Sequence, residues 1–200
     1  MTTYVLIHGA GDVGWYWHLV EAELRARGHD VVAVDLPCDD EAAGLGDYAQ
    51  TVVDAIGDRT SLVVVAQSFG GYTAPLVCRR VPVDLLVLVA GMVPLPGESA
   101  MEMFEHTGYA QPTDEAAALS ETDSLIAAFL HDMPRTLALE ALSKGKDQAA
   151  TPADGRAVAA RCVAGCSEPV SLLPQRSRVP GGLDAAGRPR AARHHAGRNR

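Results

Sequence analysis

Residues 63–71 read VVVAQSFGG, an apolar, β-branched run that halts at Gln67 and Ser68 and gives way to two glycines. So short a run, bounded by small residues, reads as a buried strand. The continuation GGYTAPLVCRRV (70–81) reads as a helix, with Pro75 in its first turns, where proline is less disruptive than in the middle. A strand, a serine at the tip of a sharp turn, small residues two before and two after it, and then a helix are the parts of a nucleophile elbow. Ala66 stands where the pattern G-x-S-x-G has its first glycine, which is the smallest departure available. A serine that merely capped the helix would account for neither Ala66 nor Gly70.

Outward from this stretch, further apolar runs recur as YVLIHG (4–9), HDVVAVDLP (29–37) and DLLVLVAGM (84–92). Between the first two, HLVEAELRARGH (18–29) is patterned as a helix, with Leu19, Val20 and Leu24 on one face and Gly28 as its stop. Near-continuous apolar strands alternating with helices indicate an α/β fold class, a mostly parallel sheet with helices on both faces. After Pro94 the chain turns acidic and helical. Leu125, Phe129 and Leu130 share one helix face, and Leu137, Leu139 and Leu142 resume after Pro134. These segments have no strand partners, so residues 95–150 are expected to be a helical lid inserted over the C-terminal edge of the sheet. An ordinary helical excursion is the alternative.

Two motifs compete for the first loop. GAGDVG (9–14) fits G-x-G-x-x-G after a strand and before a helix, with Asp35 at the end of the next strand, as in a dinucleotide-binding fingerprint. Yet Trp15, Tyr16 and Trp17 would crowd the close approach that such a loop needs, and His8 has no part in pyrophosphate binding. IHGAG (7–11) fits better as an oxyanion loop, in which glycines leave backbone N–H groups free to face a developing negative charge.

Taken together, the strand-HGA-aromatic segment (4–24), VVAVDLP (31–37), the AQSFGG elbow and LVLVAGMVP resemble the α/β-hydrolases of the plant hydroxynitrile lyase and small methyl-ester esterase type, with bacterial relatives. The resemblance covers residues 4 to about 150. It implies Ser68 as nucleophile, the backbone N–H groups of Ala10 and Phe69 as the oxyanion hole, and a pocket between sheet and lid. It also implies no cofactor, and a small ester, thioester or cyanohydrin as substrate.

A serine hydroxyl needs a general base, usually a histidine oriented by a carboxylate, and these folds carry both on strands beyond the lid. No strand is legible after residue 150. His194 and His195 come late enough but lack a scaffold, and His8, His18, His29, His106 and His131 read as loop or surface residues. The acid and base of the triad therefore have no assignment in this sequence.

Charge divides the chain at the same place. Residues 1–152 hold eight Lys plus Arg against 22 Asp plus Glu, net −14, whereas residues 153–200 hold nine Arg against three acids, net +6, with no Phe, Tyr, Trp, Ile or Met. Two hundred residues suffice for one domain, here expected as a hydrolase core with its lid over 1–152 and a basic, low-order tail over 153–200. The codons that GRAVAARCVAG (155–165) requires, read from their second nucleotide, are compatible with AEPWPLDVWP. Residues 173–198 read likewise are compatible with a string that opens CRNDRVFP, a carboxylate-bearing turn, and continues as an amphipathic helix. An out-of-frame tail would garble the acid's strand and end the chain before the histidine. The competing reading is a genuine basic tail for nucleic acid or anionic lipid, which arginines without aromatic or helical patterning support poorly.

Cys38, Cys78, Cys162 and Cys166 are scattered without a C-x-x-C pair or a His partner at zinc spacing, so neither a metal site nor a disulfide framework is indicated. The longest apolar run (85–93) is too short to span a bilayer and no leader precedes the first strand, so a cytoplasmic protein is expected, with no nucleic-acid or membrane partner. The expected activity is hydrolysis of a small carboxylic ester or thioester, weak or absent without the base. A non-catalytic ligand-binding relative and a hydroxynitrile lyase-like C–C lyase are the alternatives. The lyase would need a positioned lysine in the pocket, for which the chain offers Lys144 and Lys146 in the lid segment.

Overall fold

The computed structural model describes residues 1–95, 97–108 and 119–149, and the backbone of 171–173. Five parallel strands, β1 (Thr3–Ile7), β2 (Asp30–Ala33), β3 (Leu62–Gln67), β4 (Leu85–Val89) and β5 (Ser171–Leu173), form one sheet in the order β2-β1-β3-β4-β5. The four apolar runs of the sequence are the first four strands, each trimmed by one to five residues. Register is direct: Val5 lies beside Val32 on one side and Val64 on the other, and Val64 beside Leu86.

The helices follow from connection handedness. The chain steps from β1 outward to β2 through α1 (His18–Ala26), then returns past β1 to β3 through α2 (Leu45–Ile56). Right-handed crossovers running in opposite directions put α1 and α2 on opposite faces. α3 (Gly70–Cys78) continues in the second direction and packs beside α2. On that face Val5, Ile7, Val64, Ala66, Leu86 and Leu88 meet Leu45, Tyr48, Ala49, Val52 and Ile56 of α2 in the main core. The spacing of those α2 residues is a helical stripe, one the sequence reading did not single out. Pro75 is the sixth of nine residues in α3, deeper in the helix than expected.

Three expectations are corrected. α1 buries none of its residues, and Leu19 and Val20 are 59% and 42% exposed, although the helix and the 3-10 turn before it (Gly14–Trp17) both lie against β2. In the lid segment α4 (Ala100–Thr107), α5 (Glu121–Phe129) and α6 (Arg135–Lys144) are helical, but Leu125 and Phe129 are 39% and 68% exposed. The buried side chains among the described residues of this segment are instead Glu98, Met103, Ala138 and Ala141. Third, the tail does contribute a strand: Ser171, Leu172 and Leu173 pair with Val87, Leu88 and Val89 of β4. Periodicity could not find it, because three residues are too few to establish an alternation, which needs a run of four to eight. The rest of the segment 153–200, with His194, His195, Cys162 and Cys166, lies outside the described residues.

Candidate active site

The sheet reverses its direction of growth between β1 and β3, and in open α/β sheets ligands bind beyond the carboxyl ends of strands at such a switch point. The loop after β1 carries His8, Gly9 and Ala10, and the turn after β3 carries Ser68 and Phe69. Topology alone therefore brings the two sequence motifs to one crevice.

Ser68 has φ +49°, in the left-handed region that costs a residue with a Cβ about 1–2 kcal/mol. Hydrogen bonds hold it there. Its N–H donates to the Val89 carbonyl (3.1 Å), and its own carbonyl accepts from Gly71 N–H (3.0 Å) and Met92 N–H (2.9 Å). Strand-to-helix closeness explains the two glycines. A Cβ on Gly70 would come within 2.8 Å of the His8 carbonyl oxygen, and one on Gly71 within 2.1 Å of the Met92 carbonyl oxygen. Gly9 backs directly against the serine: a Cβ there would lie 3.1 Å from Ser68 Cβ, 3.1 Å from Asp12 Oδ2 and 2.6 Å from Gln67 Oε1.

The N–H groups of Gly11 and Asp12 are engaged, by Gln148 Oε1 (3.2 Å) and the Gly9 carbonyl (3.4 Å). Those of Ala10 and Phe69 have no acceptor among the described residues. Ala10 is exposed, whereas Ser68 and Phe69 are half-buried, with the Phe69 ring stacked on Tyr72 at 5.0 Å.

His8 departs from its expected surface role. It is 1% exposed, its Nε2 accepts the Leu36 N–H (3.0 Å), and its Nδ1 then carries the proton that it donates to the Gly9 carbonyl (2.8 Å). Burial lowers its pKa, so it stays neutral and ties the first loop to the segment after β2. Asp12, half-buried beside Gly9, has its carboxyl pushed up to about 6 by burial, against a smaller opposing pull from the Gly9 amide. Asp35 accepts the Gly14 N–H at 2.6 Å and so occupies the turn's N-terminus, where a dinucleotide would place its pyrophosphate. Gly14 serves packing against β2's end, since a Cβ there would meet the Val34 and Ala33 carbonyls at 3.1 and 3.2 Å.

The other described histidines are spent elsewhere. His18 Nδ1 bonds the Trp15 carbonyl at 2.8 Å, His29 packs edge-on against Tyr4, and His131 is exposed. His106 Nδ1 meets Glu98 Oε1 at 2.5 Å on α4 and the loop before it, with the His106 side chain 45% exposed. Among the described residues no histidine is hydrogen-bonded to Ser68. Lys146 Nζ pairs with Asp39 at 3.1 Å, and Lys144 Nζ lies 4.9 Å from the centre of the Trp15 ring. No group of three or more metal-ligating side chains and no helix long and apolar enough to cross a membrane occurs among the described residues.

The sequence reading missed the segment that follows α6. Residues 145–149 lie across the first loop, and nothing in their composition (GKDQA) signals it.

A family model described as the alpha/beta hydrolase family matches residues 4–199. "Probable esterase PIR7A" of Oryza sativa subsp. indica is 34% identical over 109 residues, covering 48% of this chain and 41% of that protein. "Methylesterase 7" of Arabidopsis thaliana is 35% identical over 104 residues, covering 46% and 40%. The chain thus spans about two-fifths of the length of these curated relatives. Among solved structures, an extracellular alpha/beta-hydrolase from a Paenibacillus species superposes with a TM-score of 0.68 at 20% identity, covering 86% of this chain and 76% of that one, which bears on the fold alone. With the switch-point elbow in place and the family's pattern running through nearly the whole length, the chain belongs to the α/β-hydrolase family.

Proposed function

We propose that this chain is built as a serine hydrolase for small carboxylic esters or thioesters. Ser68 Oγ attacks the carbonyl carbon, the Ala10 and Phe69 N–H groups hold the oxygen as it becomes anionic, and collapse expels the alcohol or thiol. Water then releases the acid from the acyl-enzyme. The observation that carries this reading is the left-handed Ser68, held at the switch point with Gly9 pressed against it. Such strain is retained where surrounding structure over-determines it, and functional sites are its usual place. Esterases among the relatives by name add support.

The proton of Ser68 needs an acceptor. We infer that the acceptor lies outside the described residues, none of whose histidines is hydrogen-bonded to Ser68, and that a shifted reading frame in the tail has garbled the segment that carries it. Without the base, comparable enzymes keep about 10³–10⁴-fold acceleration from the oxyanion hole and binding, so weak turnover is the expectation. A chromogenic acetate ester tests the reading. Hydrolysis above background that Ser68→Ala abolishes supports it, and activity unchanged in the mutant removes Ser68 from the mechanism. For the tail, the intact mass of the protein in its native cell is diagnostic: several kilodaltons above 21.1 kDa supports a restored frame, and a match to it makes the basic tail real.

That no described residue is a base hydrogen-bonded to Ser68 favours one second reading, a pocket that binds without turnover. Calorimetry with acid and alcohol products giving no heat would count against it. The lyase reading finds no support, as Lys146 and Lys144 are engaged with Asp39 and Trp15. The cytoplasmic assignment belongs to this proposal too, supported by Cys38 and Cys78 being free thiols and by the lack of a C-x-x-C pair.

A further inference from the structure

Gly11, next to Ala10, has both of its backbone polar groups held by the segment that follows α6. Its N–H donates to Gln148 Oε1 (3.2 Å), and its carbonyl accepts the Lys146 N–H (2.8 Å). The approach is close: a Cβ on Gly11 would stand 3.1 Å from the Lys146 carbonyl oxygen, and one on Gly145 3.0 Å from the Gly11 carbonyl oxygen. The segment is anchored independently at its far end. Ala149 N–H donates to the Cys38 carbonyl (2.8 Å), and Gln148 Nε2 donates to Tyr48 Oη (3.2 Å) and the Ala149 carbonyl (3.3 Å). Because the Gly11 N–H can only donate, the orientation of the Gln148 amide is fixed by its partners. The last lid helix is joined to the same region, since Tyr16 Oη donates to the Ala141 carbonyl at 2.9 Å.

We propose that residues 145–149 are a clamp that sets the conformation of the first loop, with Gln148 as its positioning residue. Gly11 sits at φ +70°, and the peptide that it shares with Ala10 is turned by that conformation. Capturing the Gly11 N–H leaves the Ala10 N–H as the donor on offer beside Ser68. Oxyanion donors act only when preorganised, so the tether's role is to remove the loop's alternative orientations. This deepens the reading of the loop as an oxyanion hole and rests on it for its catalytic meaning. The clamp itself is a statement about loop conformation.

Two variants of the full chain separate the two. Gln148→Leu loses the acceptor for Gly11 N–H, whereas Gln148→Glu keeps an acceptor there and can receive the Tyr48 hydroxyl. Amide hydrogen exchange at Ala10 and Gly11 reads the clamp, and the rate and saturation constant for phosphonylation of Ser68 by a fluorophosphonate read the oxyanion hole. Gln148→Leu is expected to speed Gly11 exchange by about tenfold or more. It is also expected to slow the phosphonylation step roughly tenfold with the saturation constant unchanged, and Gln148→Glu to restore both. Unchanged Gly11 exchange in Gln148→Leu overturns the clamp. Faster exchange with undiminished phosphonylation overturns the positioning role. Faster exchange in a chain whose Ser68 never reacts supports the clamp while sinking the hydrolase reading of Ser68.

Discussion

Replacing Gly71 by alanine tests the elbow through its packing. The added Cβ would stand 2.1 Å from the Met92 carbonyl oxygen and 3.0 Å from the Met92 carbonyl carbon and nitrogen, where ordinary contact begins at 3.4 Å. The obstacle is backbone, so it cannot rotate aside. Met92 must retreat by more than about 1 Å, which loosens the hydrogen bond from its N–H to the Ser68 carbonyl. Overpacking of this kind costs about 1–3 kcal/mol, and the weakened hydrogen bond adds about 1, giving roughly 2–4 kcal/mol. Gly28→Ala is the control: φ is +81° but nothing lies within 4 Å, so only conformational strain of about 1 kcal/mol applies. In urea denaturation followed by circular dichroism, Gly71→Ala should lower the midpoint by about 1–2 M and Gly28→Ala by about 0.5 M. Equal losses in the two variants would refute the close approach of α3 to the segment after β4, and with it the explanation of the second glycine.

Ser68→Gly should raise stability by about 0.5–1 kcal/mol, because relief of left-handed strain exceeds glycine's larger unfolded-state entropy, while Ser68→Ala leaves the strain in place. Urea midpoints of the two variants compare them directly. Asp12 and His8 make stability depend on pH with opposite signs. Asp12 is raised from 3.8 to about 6 on folding, so the native state holds its proton longer, and stability falls as pH rises through that window. The loss reaches at most about 3 kcal/mol at 1.4 kcal/mol per unit, and less in practice because the carboxylate is only half-buried. His8 is lowered from 6.5, so its neutral native form is favoured above that pH and stability is lost as pH falls below it. Thermal melts of Asp12→Asn from pH 4 to 8 should show a gain near neutrality that vanishes at pH 4 and exposes the acid-side decline due to His8. His8→Leu should cost about 1–3 kcal/mol at pH 7.5, since Leu36 N–H is left buried without an acceptor, and should remove that acid-side decline.

The fold was legible where burial on both faces wrote itself into composition. β1 to β4 are near-continuous runs of Val, Leu and Ile, and parallel strands covered on both sides have no other way to look. The elbow was legible because Gly70, Gly71 and Ser68 answer to backbone geometry that few residues can satisfy. What escaped the sequence depends on contacts between distant segments. His8 is an ordinary loop histidine by its neighbours alone, and becomes a buried tie only when Leu36, 28 residues on, arrives at its Nε2. Gln148 reaches Gly11 across 137 residues, and a single glutamine in a polar stretch carries no pattern. Leu125 and Phe129 misled for the converse reason: a helical stripe states which face is apolar, not that something covers it.

The most direct test of the central claim is to treat the chain with a fluorophosphonate, digest it, and locate the adduct by peptide mass mapping, with Ser68→Ala alongside. The account predicts a slow reaction giving one phosphonyl group per chain, on the peptide that carries Ser68, and none in the mutant. An adduct on another residue, or labelling that persists in Ser68→Ala, would contradict it.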